Sequence, residues 1–151
     1  MNDALSPYSA VLLASYGGPR RPEDVLPFMR NATAGRGVPD ERLLEVSQHY
    51  QLFGGRSPIN EQNEALRDAL AAELKKRGHP RPVVIGNRNW TPFFAETISA
   101  LHRDQHDRVV ALTTAAYSCY SACRQYRENL AAVMEQIPGV VIDKAGPYAE
   151  R

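Results

Sequence analysis

The second half of the chain alternates short apolar runs with amphipathic segments, and this order constrains the fold more than any other feature. Strand-like runs lie at residues 82–89, 107–117 and 139–148, and helix-like segments separate them at 91–104 and 121–137. A further buried strand is predicted at 9–18, where an apolar run ends at two glycines. Strands that alternate with helices form parallel sheets with right-handed crossovers. The sequence therefore predicts an α/β domain in which a four-stranded, mostly parallel sheet is flanked by helices.

Helical segments also fill most of the first half of the chain. Residues 21–35 carry a proline and two acids early, as helix starts do, and Pro27 must interrupt or restart that helix. Residues 39–53 place apolar side chains at near-helical spacing: Leu43, Leu44, Val46, Tyr50 and Leu52. The clearest helix of the chain has a leucine at every fourth position: Leu66, Leu70 and Leu74.

The start of that last helix has an unusual sequence, FGGRSPINEQNEAL, at residues 53–66. Ser57 suits the N-cap and Pro58 the first helical position, and Thr91 and Pro92 repeat this pair before the next helix. The unpaired N–H groups and the partial positive charge of a helix N-terminus can hold an anion. On local signals alone, a well-capped helix without a ligand is the simpler interpretation, and an anion site is the alternative.

Composition and charge argue against several classes of function. A formal net charge of +1 gives no overall field that would recruit nucleic acid or an anionic membrane. No apolar run is long enough to span a bilayer, and the first residues lack the cationic start of a signal peptide. Cys119 and Cys123 share one face of a predicted helix, where reduced thiols are favoured over a metal pair because no further ligand is near. These features predict a cytoplasmic protein.

Aromatic and basic residues gather where the predicted strands end. Ligands of parallel sheets bind beyond the carboxyl ends of the strands, and Tyr16 follows the first of these ends. The segment 113–129 adds tyrosines and arginines: Tyr117, Tyr120, Arg124, Tyr126 and Arg127. Aromatic faces and guanidinium groups suit a flat, conjugated, anionic ligand, although core tyrosines with surface arginines explain the same composition. The phosphate-binding patterns G-x-G-x-x-G and G-x-x-x-x-G-K-[ST] are missing, which argues against a nucleotide site.

Several stretches together resemble the N-terminal half of a ferrochelatase of the Gram-positive, coproporphyrin-using type. They occur in the family's order: LLASYGGPRRPEDVLPFMRN, YQLFGGRSPINEQNEAL, GNRNWTPFFAETI and ALTTAAYSCYSACRQYREN. The resemblance runs from about Val11 to Tyr148. It implies a Rossmann-like, chelatase-type domain over residues 1–151, with the family's second domain absent from this chain. It also implies that ferrous iron and a porphyrin, coproporphyrin III or protoporphyrin IX, are the substrates of an enzyme of haem biosynthesis.

The resemblance further implies which residues contact the porphyrin. Tyr16 faces the macrocycle and approaches the metal as an axial ligand, which makes it the predicted metal-binding residue. Ser57 hydrogen-bonds a propionate at the helix mouth, and Tyr126 contacts a second propionate. Arg36 and Arg124 are further propionate partners. A carboxylate bound at this helix mouth would give a function to the glycines before the helix and to the Ser57 hydroxyl.

Other functional groups of the family are expected outside this chain. The catalytic histidine of the family and its glutamate partner lie beyond Arg151, so no catalytic residue is predicted here, and the chain alone is expected not to insert iron. Asn89 stands where some relatives have a histidine, and an amide cannot act as a base at neutral pH. Cys119 and Cys123 do not supply the cysteine pattern of the iron–sulfur cluster that some relatives carry.

Two alternatives stay open beside this interpretation. A short, single-domain chelatase would form a homodimer to rebuild the cleft, whereas we expect the complete two-domain enzyme to be a monomer. Such a chelatase needs histidines at strand ends, and those of this chain are poorly placed: His49, His79, His102 and His106. A non-catalytic porphyrin-binding remnant would bind a porphyrin without inserting iron. Neither nucleic acid nor a strong membrane association is predicted for any of these.

Overall fold

A computed structural model describes residues 3–114 and 120–145, apart from the side chains of residues 120–122. Its strands form one parallel sheet in the order β2-β1-β3-β4, with the bounds Ala10–Ser15 (β1), Val83–Asn87 (β2), Arg108–Thr113 (β3) and Val141–Lys144 (β4). The predicted α/β architecture with a parallel sheet is therefore confirmed. Each strand is shorter than its predicted run, and the parts predicted at 115–117 and 146–148 lie outside the described residues.

Helices cover both faces of the sheet. Within the described residues they are Val25–Ala32 (α1), Asp40–Gln51 (α2), Ile59–Lys76 (α3), Phe94–Arg103 (α4) and Tyr120–Gln136 (α5). A single 3-10 turn, Pro22–Asp24, leads into α1, so the chain restarts its helix just before Pro27. Pro27 lies in the first turn of α1, where the missing N–H has no intrahelical partner to lose. None of these helices is long and apolar enough to cross a lipid bilayer.

The hydrophobic core lies on the two faces of β1, which is one of the two inner strands and is buried along its whole length. Because side chains alternate along a strand, Leu12 packs with Ile98 of α4 and Leu130 of α5 on one face. Val11 and Leu13 pack against α3 on the other face. A separate cluster joins α1 to α2 through Val25, Phe28, Met29 and Leu43. The two helices before α3 thus form their own small core.

The predicted start of α4 is wrong by two residues. The helix begins at Phe94, so Thr91 is not its N-cap and Pro92 is not its first residue. The Pro92 carbonyl instead accepts a 2.7 Å hydrogen bond from the Asn87 N–H, and Phe93 forms a β-bridge with Asn87. The chain therefore bends at Thr91 and Pro92 and pairs with the end of β2 at Phe93 before it enters the helix.

The apolar faces predicted for α2 and α3 are narrower than expected. Leu43 is buried, but Leu44 is 50% exposed and Leu52, just after α2, is 79% exposed. On α3, Leu70 and Leu74 pack against β1 and β2, whereas Leu66 is 47% exposed. Near-helical spacing identified the helices correctly, yet not every apolar residue on them reaches the core.

Candidate functional site

The carboxyl ends of β1 and β2 lie side by side, because Ser15 is the register partner of Asn87. The chain leaves β1 through Tyr16 and Gly17, and the Tyr16 carbonyl accepts a hydrogen bond of 3.1 Å from the Asn89 N–H. Gly17 has a φ of +86°, and a Cβ there would lie 2.9 Å from the Asn87 Cβ. The turn after β1 is therefore fitted closely against the end of β2, and only glycine can fill this position.

Tyr16 stands at this edge with part of its ring open to solvent, 39% of the residue being exposed. Its ring makes an edge-to-face contact with Phe28 of α1 at 5.9 Å between centroids, and Phe28 makes a similar contact with Tyr50 of α2 at 6.4 Å. Burial and the nearby Tyr16 raise the pKa of Tyr50. A chain of aromatic rings thus supports Tyr16 from one side and leaves it available to a flat ligand.

Ser57 lies directly against the turn that carries Tyr16. The Ser57 N–H donates to the Pro19 carbonyl at 2.9 Å, and a Cβ added to Gly18 would lie only 2.6 Å from the Ser57 Cβ. The assigned helix α3 begins at Ile59, one residue later than predicted, but Pro58 has helical backbone angles and the Ser57 Oγ accepts from the Ile59 N–H at 3.4 Å. The serine is thus at the mouth of α3, where the helix N-terminus adds partial positive charge.

A cavity of about 690 Å³ opens beside Ser57, between the end of α2 and the start of α3. Its walls include the aromatic rings of Tyr50 and Phe53 and the side chains of His49 and Arg56. Arg56 forms an ion pair with Glu61, and Phe53 is 79% exposed. The cavity therefore combines aromatic surface and the Ser57 hydroxyl with a guanidinium group that is already paired with the carboxylate of Glu61, which also lines the cavity, and it suits a largely apolar ligand that brings a hydrogen-bond acceptor to Ser57.

Tyr126 is a buried residue of the hydrophobic core. It is 7% exposed and packs on Phe94, with 6.1 Å between ring centroids. Burial raises the pKa of its phenol to about 12, while the guanidinium of Arg88 opposes that rise and Tyr16 adds to it. The phenol of Tyr126 is therefore within electrostatic reach of Arg88 and Tyr16, at the carboxyl ends of two different strands.

The raised pKa of Tyr126 predicts a loss of stability in alkali. Because the folded chain favours the neutral phenol, this stabilisation is complete below about pH 10 and is lost as the pH rises towards 12. The Tyr126→Phe variant has no phenol to ionise. Between pH 9 and pH 12, the free energy of unfolding of the parent chain should therefore fall by roughly 2 kcal/mol more than that of the variant. Urea unfolding at the two pH values measures this difference. Equal losses in both proteins would contradict the burial of a neutral phenol.

The two predicted arginines lie apart from Ser57 in the sequence and on other elements. Arg36 is exposed in the loop between α1 and α2. Arg124 is on α5, where its guanidinium pairs with Glu128 at 2.8 Å. Of the neighbouring predicted residues, Tyr117 and Cys119 lie outside the described residues, and Cys123 carries a free thiol. The roles of Arg36 and Arg124 towards a propionate stay predictions.

Sequence reasoning missed two buried asparagines on α3, and it placed Arg88 at the strand end after β2 without giving it a role. Asn60 and Asn63 are 5% and 6% exposed and hydrogen-bond to the turn after β1 and to β1 itself. Arg88 follows β2 and lies within electrostatic reach of the Tyr126 phenol. A signal for the asparagines was present, since they continue the spacing of Leu70 and Leu74 towards the start of the helix.

These observations describe an α/β domain with a candidate ligand site at the carboxyl ends of its parallel strands, where ligands of such sheets bind. Comparison with known proteins narrows the class, because the family model described as ferrochelatase matches residues 8–150. The chain therefore belongs to the ferrochelatase family, and the resemblance expected from its motifs is confirmed.

Curated relatives agree with this assignment. The chain is 56% identical over 126 residues to a coproporphyrin III ferrochelatase of Streptomyces coelicolor, an alignment that covers 83% of this chain and 34% of the relative. It is 53% identical over 129 residues to a coproporphyrin III ferrochelatase of Leifsonia xyli, covering 85% and 33%. A ferrochelatase of Rhodopirellula baltica is 48% identical over 133 residues, covering 88% and 38%. The chain thus spans about a third of the length of the curated relatives it matches.

Proposed function

We propose that this chain is the first domain of a coproporphyrin III ferrochelatase and that it holds the porphyrin into which ferrous iron is inserted. The observation that best supports the proposal is the contact between Ser57 and Gly18, which brings a helix-mouth hydroxyl next to the turn that carries Tyr16. A porphyrin needs both groups close together, because each of its carboxylates is joined to the flat ring by only two methylene groups. The substrate name rests on the relatives, among which coproporphyrin III ferrochelatases recur.

In this proposal each residue has a separate task. Ser57 donates its hydroxyl to a propionate, aided by the partial positive charge at the start of α3. Tyr16 offers its partly exposed ring to the macrocycle and its phenol oxygen to the iron. Tyr126 contacts a second propionate with a phenol that stays neutral, and therefore a hydrogen-bond donor, at physiological pH. Arg36 and Arg124 supply positive charge for the remaining carboxylates.

Iron insertion replaces two pyrrole protons by the metal, so the reaction needs a group that accepts protons. The proposal assigns no such group to this chain, because the family's histidine and glutamate are expected in the second domain. We therefore expect the chain to bind the porphyrin without inserting iron. The complete enzyme is proposed to be a monomer in the cytoplasm, and an iron–sulfur cluster is not part of the proposal for this chain.

Titration of the chain with coproporphyrin III tests this proposal directly. Trp90 is the single tryptophan of the sequence and belongs to the cluster around Phe28 that supports Tyr16, so its fluorescence should be quenched on binding. Ser57→Ala removes one hydrogen bond to a charged group and should weaken binding about tenfold. Ser9→Ala, at the opposite end of β1, is the matched control and should leave the affinity unchanged.

Two results would contradict the proposal. Equal affinity of the parent chain and the Ser57→Ala variant would mean that the carboxylate binds elsewhere. Rapid iron insertion by the chain alone, followed by the absorption of the metalloporphyrin, would mean that no second domain is required. If sedimentation then showed a stable dimer, the short homodimeric chelatase would be the better assignment.

A further inference from the structure

The inner face of α3 changes its chemistry along the helix. Its second half packs on the sheet through Leu70, Ala71 and Leu74. Its first turns present Asn60 and Asn63 to the same side, and both side chains are buried. Apolar packing is non-directional and tolerates small shifts, whereas a buried amide must meet a partner at a defined distance and angle. The first turns of α3 are therefore the more closely fixed part of the helix.

Asn60 bonds to the same turn as Ser57. Its Nδ2 donates to the Gly18 carbonyl at 2.9 Å and more weakly to the Pro19 carbonyl at 3.4 Å. The Pro19 carbonyl also accepts from the Ser57 N–H. Two donors from the start of α3 thus meet adjacent carbonyls of one turn, which fixes the helix mouth in position relative to that turn.

Asn63 makes the second connection, one helical turn further on. Its Nδ2 donates to the Ser15 Oγ at 2.7 Å, and Ser15 is fully buried as the last residue of β1. Ser15 directly precedes Tyr16. The two asparagines therefore bond on either side of Tyr16 in the sequence, one before it and one after it.

We propose that Asn60 and Asn63 are positioning residues, which fix the Ser57 hydroxyl relative to the Tyr16 ring and so set the affinity for a tetracarboxylate porphyrin. This inference rests on the proposed function, because it assumes that Ser57 and Tyr16 contact one ligand. Each carboxylate reaches only two methylene groups from the macrocycle, so a displaced helix mouth weakens the carboxylate contact even when the chain remains folded.

A double-mutant cycle between Asn60→Leu and Ser57→Ala tests the positioning role. Leucine keeps the branched shape of asparagine but cannot donate a hydrogen bond. In the parent chain, Asn60→Leu should weaken the binding of coproporphyrin III about tenfold per folded molecule. Added to Ser57→Ala, the same change should weaken binding by less than about twofold compared with Ser57→Ala alone. The tetramethyl ester of coproporphyrin III, with both ligands dissolved in one detergent, accepts only weaker, uncharged hydrogen bonds, so the four proteins should differ much less in their affinity for the ester than for the free acid.

A merely structural role gives a different pattern. Asn60→Leu would then weaken the binding of the free acid and of the ester equally, and its loss would add to that of Ser57→Ala. Either result overturns the inference. The double variant Ser15→Ala with Asn63→Leu provides a second measurement. Asn63→Leu alone leaves the buried Ser15 hydroxyl without its partner, and removing that hydroxyl as well should restore most of the stability lost in the single variant. The affinity of this double variant for the free acid should stay below that of the parent chain. An affinity equal to that of the parent chain would mean that Asn63 has a structural role only.

The cycle also separates this inference from the proposed function. If Ser57→Ala has no effect on the affinity for the free acid, the proposed placement of the ligand fails and the positioning role fails with it. If Ser57→Ala weakens binding but Asn60→Leu does not, the placement stands and only the positioning role is wrong.

Discussion

The Gly55→Ala variant is expected to lose several kcal/mol of stability, whereas Gly54→Ala should lose only about 1–2 kcal/mol. Both glycines have a positive φ, +68° at Gly55 and +74° at Gly54, so both alanines carry the strain of the left-handed region. They differ in space, since a Cβ at Gly55 would lie 2.4 Å from the Pro22 Cα, while a Cβ at Gly54 meets nothing within 4 Å. Backbone atoms cannot move aside as the tip of a side chain can. The clash with Pro22 therefore adds to the loss of stability from the left-handed backbone conformation in Gly55→Ala, but not in Gly54→Ala.

Urea unfolding of the two variants measures this difference, and Gly54→Ala is the matched control because it shares the conformation without the contact. The displaced Pro22 lies just before α1, so Gly55→Ala should also shift the fluorescence of Trp90, which packs with α1. Similar losses of stability in the two variants would show that the loop simply relaxes, and that Gly55 is needed for its backbone angles alone.

The order of strands and helices was predictable because it depends on local patterns. Short apolar runs such as the one at 82–89 and the helical spacing of Leu70 and Leu74 are properties of neighbouring residues. The start of α4 was not predictable in this way. Thr91 and Pro92 carry a good local helix signal, but a bond between the Asn87 N–H and the Pro92 carbonyl holds this segment at the end of β2, and the helix begins only at Phe94. A contact with the end of a strand overrides the local preference there.

The candidate site was predictable only in part, because it too depends on contacts between residues that are distant in the sequence. Tyr16 and Ser57 were selected from the strand end, the helix start and the family resemblance. That these two residues lie close together depends on contacts between distant parts of the chain. One example is the hydrogen bond from Asn60 to the Gly18 carbonyl, which joins residues 42 positions apart in the sequence. Residue type alone also left open whether Tyr126 is a surface or a core residue, and it is buried against Phe94. No local pattern fixes such pairings, because the sheet brings them together.

The Gly18→Ala variant is expected to reduce the affinity for coproporphyrin III by more than about tenfold and to destabilise the chain by roughly 2–3 kcal/mol. Gly18 does not have a positive φ, so its backbone angles permit alanine and the reason is space alone. The new methyl group would lie 2.6 Å from the Ser57 Cβ, 2.9 Å from its Oγ and 2.9 Å from the Ile59 Cγ2. The helix mouth must therefore move away from the turn that carries Tyr16.

Combining Gly18→Ala with Ser57→Gly separates the two effects of this clash. The second change removes both Ser57 atoms that meet the methyl group, so stability should recover for the most part, although the contact with Ile59 remains. Porphyrin affinity should not recover, because the hydroxyl is gone, and it should equal that of Ser57→Gly alone. Urea unfolding and quenching of Trp90 report the two quantities on the same samples. Parent-like affinity in Gly18→Ala would mean that a porphyrin does not need Ser57 beside this turn, since the methyl group leaves no room for the serine where it now lies.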